Sequence, residues 1–351
     1  MPNDRKPPQQ TTVLVTGISG FLAGHTALLL LQAAYRVRGT VRSAKRATEV
    51  VNQLQAHGAD PAGVTTCEAD LLHDQGWAQA VSGCDYVIHT ASPFPDGLPK
   101  NEDDLIRPAC EGTLRVLKAA HAAGVRRVVL TSSIAATNYG APKPCYDEND
   151  WTDVNSRLAT PYYKSKTLAE QAAWKFARET GIELAVINPS LMLGPLLGTT
   201  NGTSVEVVRK LLSGEYPALP RFGMSLVDVR DVADAHLRAM LAPQAAGERF
   251  ITGGPFYWLK ELADQMRRIA PEQTGRVPRY ELPNWLVRIF ACFDPTTRLI
   301  TAELGLQKHV SHEKAERLLG WKIRPLDETI RDTIASLVAR GLVKPVASTT
   351  R

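Results

Sequence analysis

The chain has 351 residues, of which 44% are hydrophobic and 22% are charged, so it can bury a large core as one α/β unit or as a domain with an appended lobe. Its 41 basic and 36 acidic residues are scattered along the sequence, and without a basic run we expect no nucleic-acid partner. The five cysteines are widely separated, with no CxxC pair and no metal-ligand spacing, which predicts a reducing cytoplasmic location and no bound metal.

The N-terminal segment MPNDRKPPQQ is polar and rich in proline, and it predicts a mobile tail over residues 1–10. The apolar run from Ala27 to Leu31 is far too short to span a bilayer. We therefore expect a protein with no signal peptide and no membrane partner.

Apolar, β-branched runs alternate with stretches of helical period over the first half of the chain, as in βαβ units that build a parallel sheet. Strands are predicted near Thr12–Thr16, Arg36–Val41, Val64–Glu68, Tyr86–Thr90, Arg127–Ser132 and Glu183–Asn188. Helices are predicted to start near Phe21, Lys45, Gln75, Leu105 and Pro161. Right-handed crossovers would wind these elements into an α/β, Rossmann-type doubly wound sheet that binds ligands at the carboxyl ends of its strands.

After Asn188 the alternation gives way to pieces rich in proline and glycine, which predict the start of a smaller C-terminal substrate lobe. Leu226–Leu241 is interpreted as a strand that runs into an amphipathic helix and returns to the main domain, with His236 as a structural core residue. We assign residues 11–189 with about 222–250 to a dinucleotide-binding Rossmann domain, and 190–221 with about 251–351 to the lobe.

A glycine-rich turn, TGISGFLAG, directly follows the first strand and opens an apolar helix. Gly17 would allow the tight turn, Gly20 would let the backbone approach a pyrophosphate, and the helix N-terminus would offer N–H donors to the anion. A glycine turn alone is weak evidence, but strand before, helix after and a second strand ending about 20 residues on favour a nucleotide site. The predicted contacts are Gly17, Ser19, Gly20, Phe21 and Leu22.

The end of the second strand indicates which cofactor is bound. An NAD site usually places Asp or Glu there, but this chain reads GTVRSAKR and carries no acid. Arg42, with Lys45 or Arg46 one helical turn on, offers contacts to the 2′-phosphate of NADP(H). The alternative is a solvated basic start of a helix.

Two further segments follow predicted strands at the same edge of the sheet. Asp70 and Leu71, after the third strand, are predicted to contact the adenine, although Asp70 could equally cap a helix. Thr90, Ala91 and Ser92, after the fourth strand, are small and polar where the backbone passes the cofactor, or form a simple turn before Pro93.

Three residues form the predicted catalytic group. The fifth strand, RRVVLTSS, delivers Ser133 to the carboxyl edge, and Tyr162 and Lys166 lie four residues apart on one helix face. A tyrosine with a pKa near 10 is a poor proton shuttle, and we expect the nearby ammonium to lower that pKa. Ser133 would donate to the carbonyl oxygen, Tyr162 would protonate it, and Lys166 would also hold the nicotinamide ribose.

These motifs resemble the extended short-chain dehydrogenases/reductases, in the branch of dihydroflavonol 4-reductase, cinnamoyl-CoA reductase and yeast-type methylglyoxal or aldehyde reductases. The resemblance covers nearly the whole chain and includes VLVTGISGFLAGH, HTASPFP, VVLTSS, YYKSK, INPSLMLGP and VDVRDVADAHL. It implies that Pro189 and Ser190 line the nicotinamide pocket, and that Phe94 and Asn138 contact substrate. The neighbouring sequence SSIAATN differs from the SSAGTVN of the flavonoid enzymes, so a flavonoid substrate is not carried over.

The chain is therefore predicted to be an NADPH-dependent carbonyl reductase that acts on a small aldehyde, ketone or alcohol as a monomer or homodimer. A nucleotide-sugar epimerase or dehydratase would retain NAD, and Arg42 without an acidic partner speaks against that alternative. A 3β-hydroxysteroid-type dehydrogenase would differ mainly in substrate. A non-enzymatic dinucleotide-sensing regulator would typically lack the tyrosine or the lysine, and both are present.

Overall fold

The computed structural model describes residues 6–93, 101–139, 143–156, 158–198, 202–293 and 295–343. Its strands are β1 (Thr12–Thr16), β2 (Arg36–Val41), β3 (Val64–Glu68), β4 (Tyr86–His89), β5 (Arg127–Thr131), β6 (Cys145–Tyr146), β7 (Glu183–Pro189), β8 (Leu191–Leu193), β9 (Leu219–Pro220), β10 (Gly223–Asp228), β11 (Arg249–Thr252), β12 (Phe256–Trp258), β13 (Glu281–Leu282) and β14 (His309–Val310). Its α-helices are α1 (Phe21–Gln32), α2 (Ala44–Ala56), α3 (Trp77–Val81), α4 (Asp103–Ala122), α5 (Pro161–Thr180), α6 (Thr203–Ser213), α7 (Val229–Leu241), α8 (Leu259–Ile269), α9 (Asn284–Phe290), α10 (Pro295–Ile300), α11 (Glu313–Leu319) and α12 (Leu326–Ala339).

The central sheet has, within the described ranges, seven parallel strands in the order β11-β7-β5-β4-β1-β2-β3. Successive residues of β1 pack into different layers, since Val13 and Val15 join a core with α1 and α7 while Leu14 joins a core with α4. The strand order reverses between β1 and β4, and ligands of open α/β sheets bind at such a point. The predicted Rossmann-type doubly wound sheet is confirmed.

All six predicted strands are present, with ends that differ by one residue at most. The seventh strand, β11, lies beside β7 at the edge of the sheet and was not predicted as a strand. Its four residues are all buried, including Arg249, so a charged residue occupies a core position.

A smaller lobe surrounds a second sheet of three strands, β8, β10 and β12. Helices α6, α8 and α12 pack around it and bury Leu211, Leu262 and Ile334 with Leu226 of β10. Strand β10 continues directly into α7, which packs beside α1 against the central sheet. The segment Leu226–Leu241 thus connects the three-stranded sheet of the lobe to the central sheet. The exact domain limits stay a prediction from the sequence.

The described part of the predicted N-terminal tail contacts the sheet. Residues Pro8–Gln10 form a short 3₁₀ helix, and the Lys6 ammonium lies 2.6 Å from the carboxylate of Asp85, while residues 1–5 lie outside the described residues. Among the helices that the structure describes, none is long and apolar enough to cross a lipid bilayer. The five cysteines, all of them described, are free thiols.

Candidate active site

In the turn after β1, Gly17 and Gly20 present backbone without side chains at the N-terminus of α1. We call this turn the glycine cradle. Gly17 adopts a left-handed conformation (φ 63°), and a Cβ there would lie 3.0 Å from Cβ of Ala91. A Cβ on Gly20 would lie 3.2 Å from the carbonyl oxygen of Gly17. The Gly17 N–H donates to the Thr40 hydroxyl at 2.8 Å, which fixes the turn against β2. The absence of side chains here fits the close approach of a pyrophosphate to the helix N-terminus.

The other predicted residues of this turn differ in what they present. Ser19, Gly20 and Phe21 line a shallow hollow whose far side is formed by Gln53, Leu197 and Gly198. The Leu22 side chain is buried in the core, so at the helix N-terminus this residue presents its backbone. The Ile18 side chain packs directly against the backbone of Gly39, because a Cβ on Gly39 would lie only 2.5 Å from it. Gly39 was not among the predicted site residues, because its role depends on a contact between neighbouring strands.

The three basic residues after β2 are all exposed, and their surroundings differ. Arg46 forms an ion pair with Glu49 at 2.9 Å, one turn further along α2. The side chains of Arg42 and Lys45 make no hydrogen bond or ion pair with any described residue. Two cations thus lie uncompensated at the end of β2, in the place where a 2′-phosphate would be neutralised.

The segments after β3 and β4 hold the edge of the sheet together. One carboxylate oxygen of Asp70 accepts the Leu72 N–H at 3.0 Å, a local cap, while Leu71 is buried against α4. The Thr90 hydroxyl donates to the carbonyl oxygen of Thr16 at 2.5 Å, and the Ala91 N–H donates to the Thr16 hydroxyl at 3.0 Å. These bonds tie β4 to β1 beside the glycine turn, and cofactor contacts of these residues stay a prediction.

Ser133, Tyr162 and Lys166 lie together at the carboxyl edge of the sheet. Pro161 at the first helical position and the Thr160 cap start α5, so Tyr162 enters the site from its first turn. The Ser133 hydroxyl lies close enough to Tyr162 to oppose the rise of the Tyr162 pKa. The Ser133 oxygen also accepts the Ala135 N–H at 3.1 Å, which leaves the serine proton free to be donated.

Lys166 lies one turn along α5 from Tyr162 and reaches the loop after β4. Its ammonium donates to the Ser92 hydroxyl at 3.1 Å. Burial lowers the pKa of Lys166 to about 8, and the nearby carboxylate of Glu170 opposes that shift. The amine therefore keeps its charge only up to mildly alkaline pH.

The expected lowering of the Tyr162 pKa is not found. Burial raises the pKa of Tyr162 above its usual value, and the hydrogen bond from Ser133 only partly opposes that rise. Desolvation of the phenolate is thus the largest influence on the Tyr162 pKa in the chain alone. At neutral pH Tyr162 is a protonated phenol, which is the form that can act as an acid.

The residues assigned by resemblance are distributed around the same edge. Ser190, which follows Pro189 at the end of β7, is 6% exposed, and its hydroxyl has no hydrogen-bond partner among the described residues. Asn138 is 3% exposed, and its side-chain oxygen likewise lacks a partner within the described ranges. Phe94 lies outside the described residues. Buried polar atoms without a partner are costly and fit a bound molecule, although no substrate contact is established for them.

Two buried residues of the site had no sequence signal of their own. His89 at the end of β4 has its Nδ1 atom 2.8 Å from the Thr16 hydroxyl, and burial lowers its pKa to about 3, so it is neutral. Glu170 is buried one turn after Lys166.

Across the described ranges, no group of three or more His, Cys, Asp or Glu side chains is arranged to hold a metal ion.

The fold and the site together define a class: a dinucleotide-binding Rossmann protein with serine, tyrosine and lysine at the carboxyl edge of its sheet. Residues 13–253 match the model of the "NAD dependent epimerase/dehydratase family". The chain belongs to this family, the extended short-chain dehydrogenases/reductases.

Named relatives place it in a reductase branch of that family. Cinnamoyl-CoA reductase 1 of Petunia hybrida is 34% identical over 334 residues, which cover 94% of this chain and 92% of that protein. Dihydroflavonol 4-reductase of Zea mays is 34% identical over 284 residues, 78% of this chain and 77% of that protein. The crystal structure of yeast methylglyoxal/isovaleraldehyde reductase Gre2 complexed with NADPH superimposes with a TM-score of 0.78 at 28% identity, covering 95% of this chain and 100% of that one.

Proposed function

We propose that this chain is an NADPH-dependent carbonyl reductase that converts an aldehyde or ketone into an alcohol. At the coarser level it is an oxidoreductase of the extended short-chain family. The observation that carries the proposal is the placement of Ser133 beside Tyr162, with Lys166 one turn away, next to the glycine cradle. The reductase names of the relatives support it.

NADP(H) is the cofactor, as in the relatives with solved NADPH complexes. Gly17 and Gly20 would hold its pyrophosphate, Arg42 its 2′-phosphate, and Ser190 with Pro189 its nicotinamide end. When bound, NADPH supplies a hydride to the carbonyl carbon. Strict preference for NADPH over NADH is part of the proposal and rests on Arg42.

The chain's own residues account for the proton and for the developing charge. Ser133 donates a hydrogen bond to the carbonyl oxygen, on which negative charge grows as the C=O bond is reduced, and keeps its own proton. Tyr162 gives its phenolic proton to that oxygen, so hydride and proton together complete the alcohol. The Lys166 cation then stabilises the phenolate left on Tyr162, which takes up a proton from solvent before the next turnover.

The test is a panel of aldehydes, ketones and 1,2-diketones, with NADPH loss followed at 340 nm and alcohol formation followed by chromatography. We expect turnover of at least one carbonyl, with NADPH consumed and alcohol formed in equal amounts. Tightly retained NAD with turnover of a nucleotide sugar would favour an epimerase instead. Cofactor binding without turnover of any compound would favour a sensor.

Carbonyl reduction is expected to depend on pH through Lys166. Burial lowers the pKa of Lys166 to about 8, so its charge is present below that pH and is lost above it. We expect kcat/KM to be level at neutral pH and to fall roughly tenfold per unit above the pKa, measured in constant-ionic-strength buffers. Lys166→Arg cannot deprotonate in this range and should lose the alkaline fall, whatever its absolute rate. A rate that rises through pH 8 would contradict this assignment.

A further inference from the structure

Glu170 carries a buried carboxylate on α5, one helical turn beyond the proposed catalytic residue Lys166. It lies four residues after Lys166 on α5, and its side chain is fully buried. One carboxylate oxygen accepts from the Ser132 hydroxyl at 2.5 Å and from the Asn188 amide at 2.8 Å. The other accepts from Arg249 at 2.5 Å and from the Trp174 indole at 3.2 Å. A carboxylate without solvent needs such a full set of partners, so this one is held firmly in place.

The partners of Glu170 come from the strands that end at the site. Ser132 directly follows β5 and immediately precedes Ser133. Asn188 of β7 bonds to Glu170 and also donates to the backbone carbonyl oxygen of Ser133 at 3.1 Å. Arg249 of β11 compensates the charge of Glu170. One side chain of α5 therefore fastens three neighbouring strands to the helix that carries Tyr162.

Arg249 is fixed in turn, which keeps the carboxylate from moving with it. Its second nitrogen, Nη1, donates to the backbone oxygens of Glu148 and Asp150, each at 2.9 Å. Its guanidinium stacks 3.7 Å from the centre of the Trp151 ring. Since this ion pair lies inside the protein, breaking one partner would leave the other buried and uncompensated.

We propose that Glu170 is a positioning residue for the reduction: its carboxylate holds the end of β5, and with it the Ser133 hydroxyl, against the turn of α5 that carries Tyr162 and Lys166. This inference rests on the proposed function. Displacement of a reacting group by about 1 Å can cost on the order of a hundredfold in rate, so fixing the distance between Ser133 and Tyr162 matters for turnover.

Glu170 also acts on the charge of Lys166. The groups that face Lys166 are Ser92 and the neutral His89 at the end of β4, together with Tyr162 and Glu170 of its own helix. Glu170 is the anion among them, and it raises the pKa of Lys166 against the effect of burial. The positive charge of Arg249, bonded to the same carboxylate, weakens that influence.

Glu170→Gln is the direct test, because glutamine keeps the shape and removes the charge. We expect kcat to fall about 10- to 100-fold while the dissociation constant of NADPH changes by less than about threefold. The alkaline fall of the pH profile should move to lower pH, since the anion that supports the Lys166 charge is lost. A role in stability alone would lower the melting temperature and leave both kcat and the pH profile as in the wild type, and that result would overturn the proposal.

Two further variants separate position from charge. Ser132→Ala keeps the carboxylate but removes its bond to β5, so kcat should fall about tenfold with the pH profile unmoved. Trp174→Phe removes a bond to the other carboxylate oxygen and part of a ring that packs against the core, and kcat should stay within about twofold of the wild type. If Glu170→Gln does not fold, as judged by NADPH binding, Ser132→Ala decides: a wild-type kcat there overturns the proposal.

Tyr162→Phe, assayed beside these variants, separates this inference from the proposed function. Loss of turnover in Tyr162→Phe together with wild-type kcat in Glu170→Gln overturns the positioning role alone. Unchanged turnover in Tyr162→Phe overturns the assignment of Tyr162 as the acid, and a wild-type protein that reduces no carbonyl overturns the proposed function.

Discussion

Tyr162→Phe is expected to lower carbonyl reduction by about 10²- to 10⁴-fold, the range over which general acids contribute to catalysis. Phenylalanine keeps the ring, which packs edge-on against Tyr163 with 6.0 Å between ring centres, but it carries no proton to give. The hydroxyl that faces Ser133 is lost as well. NADPH should still bind within about threefold of the wild-type dissociation constant, because the glycine cradle and Arg42 are untouched.

Single-turnover reduction and a fluorescence titration with NADPH measure these two quantities separately. The matched control is Tyr163→Phe, the neighbouring tyrosine, whose ring stacks on Tyr139 with 3.6 Å between centres. That change keeps the stack and removes a hydroxyl outside the proposed group, so turnover should stay within about threefold. If Tyr162→Phe retained more than a tenth of wild-type turnover, Tyr162 would not be the acid.

Most of the central sheet follows from local sequence signals, because each strand is a short apolar run bounded by turns and followed by a helical period. Strand β11 shows where such signals fail. It reads Arg-Phe-Ile-Thr, and a charged residue in a run of four does not predict a buried strand. Arg249 is tolerated there because Glu170, 79 residues earlier in the chain, neutralises it. That partnership exists only after folding.

The same distinction holds at the candidate site. Spacing alone predicts that Tyr162 and Lys166 share a helix face, and the order of strands brings Ser133 to them. The direction of the Tyr162 pKa shift was predicted wrongly, because the pKa depends on how much water the fold removes around the phenol. The predicted core position of His236 is confirmed: it is fully buried and its Nε2 atom lies 2.7 Å from the Thr131 hydroxyl.

The basic residues after β2 are a third place where the structure adds what the sequence could not predict. From the sequence, Arg42 was predicted to bind the 2′-phosphate together with Lys45 or Arg46. The structure separates them, since Arg46 is already paired with Glu49 while Arg42 has no ion pair with any described residue. A phosphate would have to compete with Glu49 for Arg46 but not for Arg42.

Arg42→Ala is therefore expected to weaken NADPH binding more than Arg46→Ala does. A hydrogen bond to a charged group contributes about 1.5–3 kcal/mol, so the dissociation constant of NADPH should rise about 10- to 100-fold. NADH has no 2′-phosphate, and its dissociation constant should change by less than about threefold. Isothermal titration with both cofactors gives the four constants of wild type and variant directly.

Arg178→Ala is the matched control, because Arg178 is an exposed arginine in the last turn of α5, at the opposite end of that helix from Tyr162. Its removal changes the net charge by the same amount, so any general electrostatic attraction of the cofactor would weaken equally in both variants. We expect NADPH binding to Arg178→Ala to stay within about twofold of the wild type. If Arg42→Ala weakened NADH as much as NADPH, Arg42 would not discriminate the 2′-phosphate, and the proposed cofactor preference would fail while the reductase assignment stood.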